Sequence, residues 1–173
     1  LDLSRPEIFR FLHRIAMEYS PPRKARILLM LPPPLTKPFN SDRSMKKLTK
    51  HLSGSEVFHL CFYMVPFGLV PAELCDVYPV AQTESSNPPD PFTAQDSANA
   101  ISSYLRNCRY GHVVLQASNE PWVRKVTSVV KNVCLRTRQR LTVNHCGTDS
   151  WSPEALEGLH SILEKIKKRG RDA

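Results

Sequence analysis

Acidic residues are scarce in this chain, with 16 Asp and Glu against 24 Lys and Arg, a formal net charge of +8. Glycine is scarcer still, with 6 residues, and aromatic residues make up 8%. Cysteine is limited to 5, an odd number, and no Cys-x-x-Cys pair occurs. That excludes a disulfide scaffold, so Cys61, Cys75, Cys108, Cys134 and Cys146 read as reduced thiols of a cytoplasmic protein. Only His145 and Cys146 are adjacent potential zinc ligands, so no metal site is expected. No apolar run approaches the length of a membrane span, which argues against a membrane partner. The beginning of the sequence is amphipathic and shows no signal-peptide pattern, and its start without Met suggests a fragment or trimmed domain. Gly-x-Ser-x-Gly, His-Glu-x-x-His, the P-loop and Gly-x-Gly-x-x-Gly are all missing, so no general catalytic signature is present and no cofactor is implied.

What is present is a 41% hydrophobic chain of 173 residues, enough for one domain with a real core. Lys and Arg dominate residues 1–50 and 111–173, and acidic residues the stretch between. Basic ends favour nucleic acid or another anionic partner, although solvated helix faces give the same composition.

Pro6 suits the first turn of a helix with Ser4 as its cap, and Ile8, Phe11, Leu12, Ile15 and Tyr19 follow at helical spacing. Residues 1–22 then read as a helix and linker, and 23–173 as an α/β domain. The run 25–31 predicts a buried, parallel strand ended by three prolines. A basic helix is expected over 41–52 and a second buried strand over 57–65. Residues 66–71 read as a loop, 72–77 as one helical turn, and 82–93 as the most loop-like stretch. Thr93 is expected to cap a helix over 94–108. Residues 111–117 and 141–143 predict two more strands, with a helix from Pro121 to about Val133 between them and a last helix opened by Ser152-Pro153-Glu154. This alternation predicts an α/β fold with a mainly parallel sheet.

Ligands of such sheets sit beyond the carboxyl ends of the strands. Two loops qualify. In 31–44, Lys37 stands alone among prolines, where an ammonium can bind phosphate or carboxylate, or act chemically; on spacing alone the favoured reading is a surface lysine in a solvated loop. In 65–71, Gly68 permits close approach of a planar ring or simply a tight turn. Glu73 and Asp76 form a carboxylate pair or an exposed helical face. His59 reads as a satisfied core histidine, and His145 near Asp149 is weakly suggestive of acid–base work. Arg124, Lys125, Lys131, Arg136, Arg138 and Arg140 are the candidate RNA-binding cations.

The same two loops resemble the archaeosine synthase family in its DUF5591-type domain, which follows a degenerate transglycosylase-like part. That family carries Pro-Cys, three residues, Lys-Pro-Tyr and then a spaced Ser and His. Here Pro32 matches, Pro33 replaces Cys, Lys37 and Pro38 match, and Phe39 replaces Tyr. Asp42 stands at the Ser position, Ser44 matches, and Met45 stands at the His position. The run Pro66-Phe67-Gly68-Leu69-Val70-Pro71-Ala72-Glu73-Leu74, then Val77-Tyr78-Pro79, is similar to the family's Pro-Leu-Gly-Val-Val-Pro-Arg-Glu-Leu and Val-Tyr-Pro; Glu84 keeps an acidic position.

The resemblance covers roughly residues 1–120 and implies a three-layer sandwich like uracil-DNA glycosylase. It implies tRNA carrying 7-cyano-7-deazaguanine as the partner and addition of an amine, lysine, toward archaeosine. Lys37, Asp42 and Ser44 are then the catalytic candidates, with Pro38, Phe39, Pro66, Phe67, Gly68 and Glu84 binding substrate. A transglycosylase-like or RNA-binding subunit would supply the remaining parts. Loss of the motif's Cys, Tyr, Ser and His leaves a second function open, a non-catalytic module binding tRNA or a partner. A base-recognition protein with glycosylase-like folding ranks last.

Overall fold

The computed structural model describes residues 5–83 and 88–171, so Ser4 and Glu84 lie outside the described residues. Helix α1 (Pro6–Met17) begins on its proline, with Arg5 in the cap position. Strand β1 (Ile27–Leu31) follows, then α2 (Arg43–Leu52) and β2 (Phe58–Met64). Both strands are largely apolar runs, and β1 is covered on both faces: Leu28 to Leu31 are all fully buried. Each such side chain contributes about 1.5–3 kcal/mol of burial before conformational entropy is subtracted.

Residues expected to form a loop instead make strand β3 (Gly68–Pro71), antiparallel to β2. Proline is tolerated there because β3 is an edge strand and owes no amide to a further neighbour. One 3-10 turn follows at Ala72–Leu74 and another at Val80–Gln82. Helix α3 (Pro91–Asn107) starts three residues before the expected Ala94. Asp90, not Thr93, is its cap: the carboxylate accepts from the amides of Phe92 and Thr93 and from the Thr93 hydroxyl. A carboxylate outcompetes a hydroxyl as acceptor for orphan helix amides, and Pro91 suits the first helical position. Strand β4 (His112–Ala117), α4 (Pro121–Thr137), β5 (Arg140–His145) and α5 (Pro153–Arg171) complete the chain, with α4 and β5 longer than expected.

The five strands run in the order β3-β2-β1-β4-β5. β1 pairs parallel with β2 and β4, and β4 parallel with β5. Alternate side chains of each strand enter two cores. Leu29, Leu31 and Phe62 pack with α1, α2 and α5, and Leu28, Met30 and Tyr63 with α3 and α4. The fold is therefore α/β in three layers, as expected. Helix α1 belongs to this body: Ile8 and Phe11 are in its core, Phe11 meets Phe67 edge-on at 5.3 Å, and Tyr19, just beyond the helix, stacks on Tyr104. Among the described residues no helix is long and apolar enough to cross a membrane.

Chain order proceeds from β1 outward to β2, then returns to β4 on the other side of β1. The crevice beyond the carboxyl ends of β1 and β4 is thus the switch point of the sheet.

Candidate functional site

A cavity of about 600 Å³ occupies that switch point. Its walls come from the segments after β1 (Pro32 to Pro34, Leu35, Lys37, Phe39), from the end of β2 (Tyr63 to Val65), and from the loops after β4 and β5. The last two loops bring one indole each: Trp122 in the first turn of α4, and Trp151 just before α5. These are the only two tryptophans of the chain.

The floor is fixed by hydrogen bonds. Tyr63 donates its hydroxyl to the Gln116 carbonyl at 2.6 Å. The Gln116 amide donates to the Ser150 carbonyl at 2.8 Å, and Asn144 donates to Gln116 Oε1 at 2.7 Å. Burial pushes the Tyr63 phenol up, so it remains a donor at neutral pH. One wall is held across 118 residues of sequence, where Trp151 Nε1 donates to the Pro33 carbonyl at 3.2 Å. Asp149 accepts from the Trp151 amide at 2.9 Å, which sets the turn that presents the indole.

Charge sits at the mouth. Lys37, Glu120 and Asp149 are exposed lining residues, and Lys37 Nζ donates to the Thr83 carbonyl at 2.8 Å. The arrangement of prolines, Phe39 and two indoles around a few rim charges suits a flat, polar-edged ring.

The structure sorts the sequence-derived candidates. Lys37 and Phe39 line this cavity; Lys37, Pro38 and Phe39 also line a smaller one beside Cys75 and Asp76. Asp42 and Ser44 are not lining residues. The Asp42 carboxylate caps α2, accepting from the amides of Ser44 at 2.9 Å and Met45 at 3.2 Å. Asp42→Ala is therefore expected to cost about 1 kcal/mol, while Asp42→Asn, which still caps, stays within a few tenths of wild type. Urea melts of the two variants check this; equal losses would show that the carboxylate's charge, not its capping geometry, matters.

Pro66, Phe67 and Gly68 are buried and line no part of the cavity. Gly68 does mark a close approach, but of helix α3 rather than a ligand: a Cβ there would lie 2.7 Å from Ala100 Cβ and 3.0 Å from the Ser97 carbonyl. His145 and Asp149 are not brought together either. Asp149 lines the main cavity, and His145 a separate cleft with Arg124 and Lys131. The six candidate RNA-binding cations divide likewise. Arg124 and Lys125 lie in the first two turns of α4 and Lys131 just past its middle, while Arg136, Arg138 and Arg140 gather at its end, Arg136 about 18 Å along the helix axis from Arg124.

His59 is a satisfied core residue, as expected. Its Nδ1 meets the Tyr110 hydroxyl at 2.8 Å and its Nε2 meets Glu73 at 3.1 Å. Glu73 is thus engaged by His59 and Tyr19 and forms no pair with Asp76. This cluster lies at the amino end of β2, the end of the sheet away from the cavity.

The five cysteines are unpaired, and burial pushes every one of their thiols up, Cys75 and Cys134 to about 11. None is an activated thiolate.

Trp122, Trp151, Glu120 and Ser118 were missed by the sequence reading. Their signal was position: each lies within a few residues of a strand's carboxyl end, in the loops 118–122 and 147–151.

Comparison with known proteins adds four relations. Archaeosine synthase subunit alpha of Methanosarcina acetivorans is 29% identical over 170 residues, 95% of this chain and 26% of that protein. tRNA-guanine(15) transglycosylase of Pyrobaculum aerophilum is 37% identical over 82 residues, 47% of this chain and 15% of that protein. The chain thus spans about a quarter or less of the length of these relatives. A solved structure of a protein of unknown function shares the fold with a TM-score of 0.63 at 19% identity, over 89% of this chain and 49% of its own. A family model described as a domain of unknown function, DUF5591, matches residues 8–163. That span takes in every strand, the Lys37 loop and both tryptophan loops, and the chain belongs to the DUF5591 family.

Proposed function

We propose that this domain serves archaeosine modification of tRNA and receives 7-cyano-7-deazaguanine in the tryptophan-walled cavity, as one domain or subunit of a larger enzyme. The observation that carries this reading is Lys37: the motif lysine stands at the mouth of the cavity at the sheet's switch point. The relative named archaeosine synthase subunit alpha supports the substrate class. A transglycosylase-like or RNA-binding subunit is the natural partner, since the relatives are several times longer than this chain.

The reaction is addition of lysine's amine to the nitrile. The amine nitrogen bonds to the nitrile carbon, one C–N π bond opens, and the nitrile nitrogen takes up a proton while the amine loses one. Lys37, held by the Thr83 carbonyl, supplies the positive charge and proton beside the nitrile nitrogen. Glu120 and Asp149 line the same cavity, and in this reading one of them accepts the proton from the incoming amine. Asp42 contributes by holding the start of α2, with Ser44 beside it.

A second reading has its own support. Pro33 replaces the motif cysteine, its carbonyl is occupied by Trp151, and none of the thiols is activated. A module that binds tRNA or a partner without turnover fits those facts.

Incubation with tRNA bearing the nitrile base and labelled lysine, followed by nucleoside mass spectrometry, separates the two. An adduct that falls about 100-fold or more in Lys37→Ala, with an unchanged melting temperature, establishes the enzyme. No adduct with tRNA retained at low salt leaves the binding module. Neither adduct nor retention defeats both.

A further inference from the structure

A second cleft, of about 390 Å³, lies on the α4 side of the switch point, between that helix and the carboxyl ends of β4 and β5. It shares Ser118 with the tryptophan cavity, so the two openings are neighbours. Their charges differ: the tryptophan cavity is mixed, with Lys37 beside its carboxylates. The tryptophan cavity has Glu120 and Asp149 among its lining residues, whereas the cleft has Arg124, Lys131 and His145 and no carboxylate. Arg124 and Lys131 are two helical turns apart on α4, with Ser128 between them, so all three face one groove. Among the described residues neither cation has an ion-pair partner, although Glu120 lies one turn before Arg124. The opposite wall is rigid: the Asn119 amide donates to the Gly147 carbonyl at 2.7 Å, tying the two loops together.

Two unpaired cations, a histidine and a hydroxyl around a carboxylate-free groove match the oxygens of a phosphate. We propose that this cleft is a phosphate-binding site, which seats the backbone of the strand whose base enters the tryptophan cavity. Its identification with the backbone of tRNA rests on the function proposed above; the phosphate chemistry does not. Arg136, Arg138 and Arg140, at the far end of α4, are outside the site.

The test has two arms. In the first, tRNA binding is measured against salt for wild type, for Arg124→Ala/Lys131→Ala, and for Lys165→Ala/Arg169→Ala, which removes equal charge from the distal half of α5. The cleft variant is expected to bind about 10- to 100-fold more weakly at low salt, with a slope shallower by about 1–2. The α5 variant is expected to change by less than about 3-fold. Equal losses in both variants would overturn the site. In the second arm, inorganic phosphate is titrated into wild type and the cleft variant, following the His145 ring and the Ser118, Asn119 and Gly147 amides by NMR. Saturable shifts in wild type that vanish in the variant support the site, and their absence in wild type refutes it. Phosphate binding without tRNA binding would keep the site and defeat the function proposed above.

Discussion

Gly68→Ala is expected to destabilise the protein by about 3 kcal/mol, lowering its melting temperature by roughly 6–12 °C. Two costs combine. The residue has φ +82°, a left-handed conformation that costs an L-residue about 1–2 kcal/mol. The new methyl group would also lie 2.7 Å from Ala100 Cβ and 3.0 Å from the Ser97 carbonyl. Both obstacles belong to the α3 helix itself, a backbone oxygen and a Cβ, so no flexible side chain can swing aside. Relief would need α3 to move off β3, and its inner face is packed through Ala98, Ile101 and Leu105, all fully buried. Gly54→Ala separates the two costs. Gly54 has φ +81° but nothing within 4 Å of an added Cβ, so it should lose only the conformational part, about 1 kcal/mol. Urea unfolding of the two variants gives the difference directly. A Gly68→Ala variant no worse than Gly54→Ala would show that α3 yields and that the close packing is not a constraint.

The same glycine shows where sequence reading succeeds and where it stops. The runs at 27–31, 58–64 and 112–117 were legible as parallel strands because burial on both faces leaves an almost continuous apolar signal. Gly68 to Pro71 was not, because glycine and proline are read as breakers, and only the pairing of Cys61 with Pro71 and Met64 with Gly68 makes them an edge strand. Lys37 was legible because a lone charge among prolines stands out locally. The cavity around it was not, because its walls come from four strand ends, and Pro33 and Trp151 meet across 118 residues of sequence. Local pattern carries no information about that distance. Strand order does, and strand order is visible only in the folded chain.

His59→Phe is expected to cost about 2 kcal/mol at neutral pH and to remove part of the protein's acid sensitivity. Glu73 can only accept, so it fixes the direction of the hydrogen bonds around it. Tyr19 and His59 Nε2–H donate to the carboxylate, and the other ring nitrogen, Nδ1, meets the Tyr110 hydroxyl at 2.8 Å. Tyr110 in turn meets the Tyr104 hydroxyl at 2.9 Å, and Tyr104 meets the Cys61 thiol at 3.7 Å. The chain of bonds joins the residues after α1, the edge hairpin, α3 and the segment before β4. Phenylalanine keeps the volume of histidine but strips Glu73 and Tyr110 of one partner each; Glu73 keeps Tyr19 and water and Tyr110 keeps Tyr104, so each lost bond costs about 1 kcal/mol.

The pH dependence follows from Glu73. Burial raises its carboxyl, but the hydrogen bonds from His59 and Tyr19 outweigh that and hold it below the ordinary value of 4.5. A carboxyl held low in the folded state stabilises the fold fully above its unfolded value, and that contribution is lost as pH falls through the folded one. Wild type should therefore lose stability on acidification below about pH 4.5, and His59→Phe should lose less over the same interval. The comparison is made by urea unfolding of both proteins at pH 7 and at pH 3. Other carboxylates titrate alike in both, so the difference between the two slopes reports the His59–Glu73 pair. Parallel slopes would mean that His59 does not hold the Glu73 carboxylate, and the network would then stabilise the fold through the tyrosine hydroxyls alone.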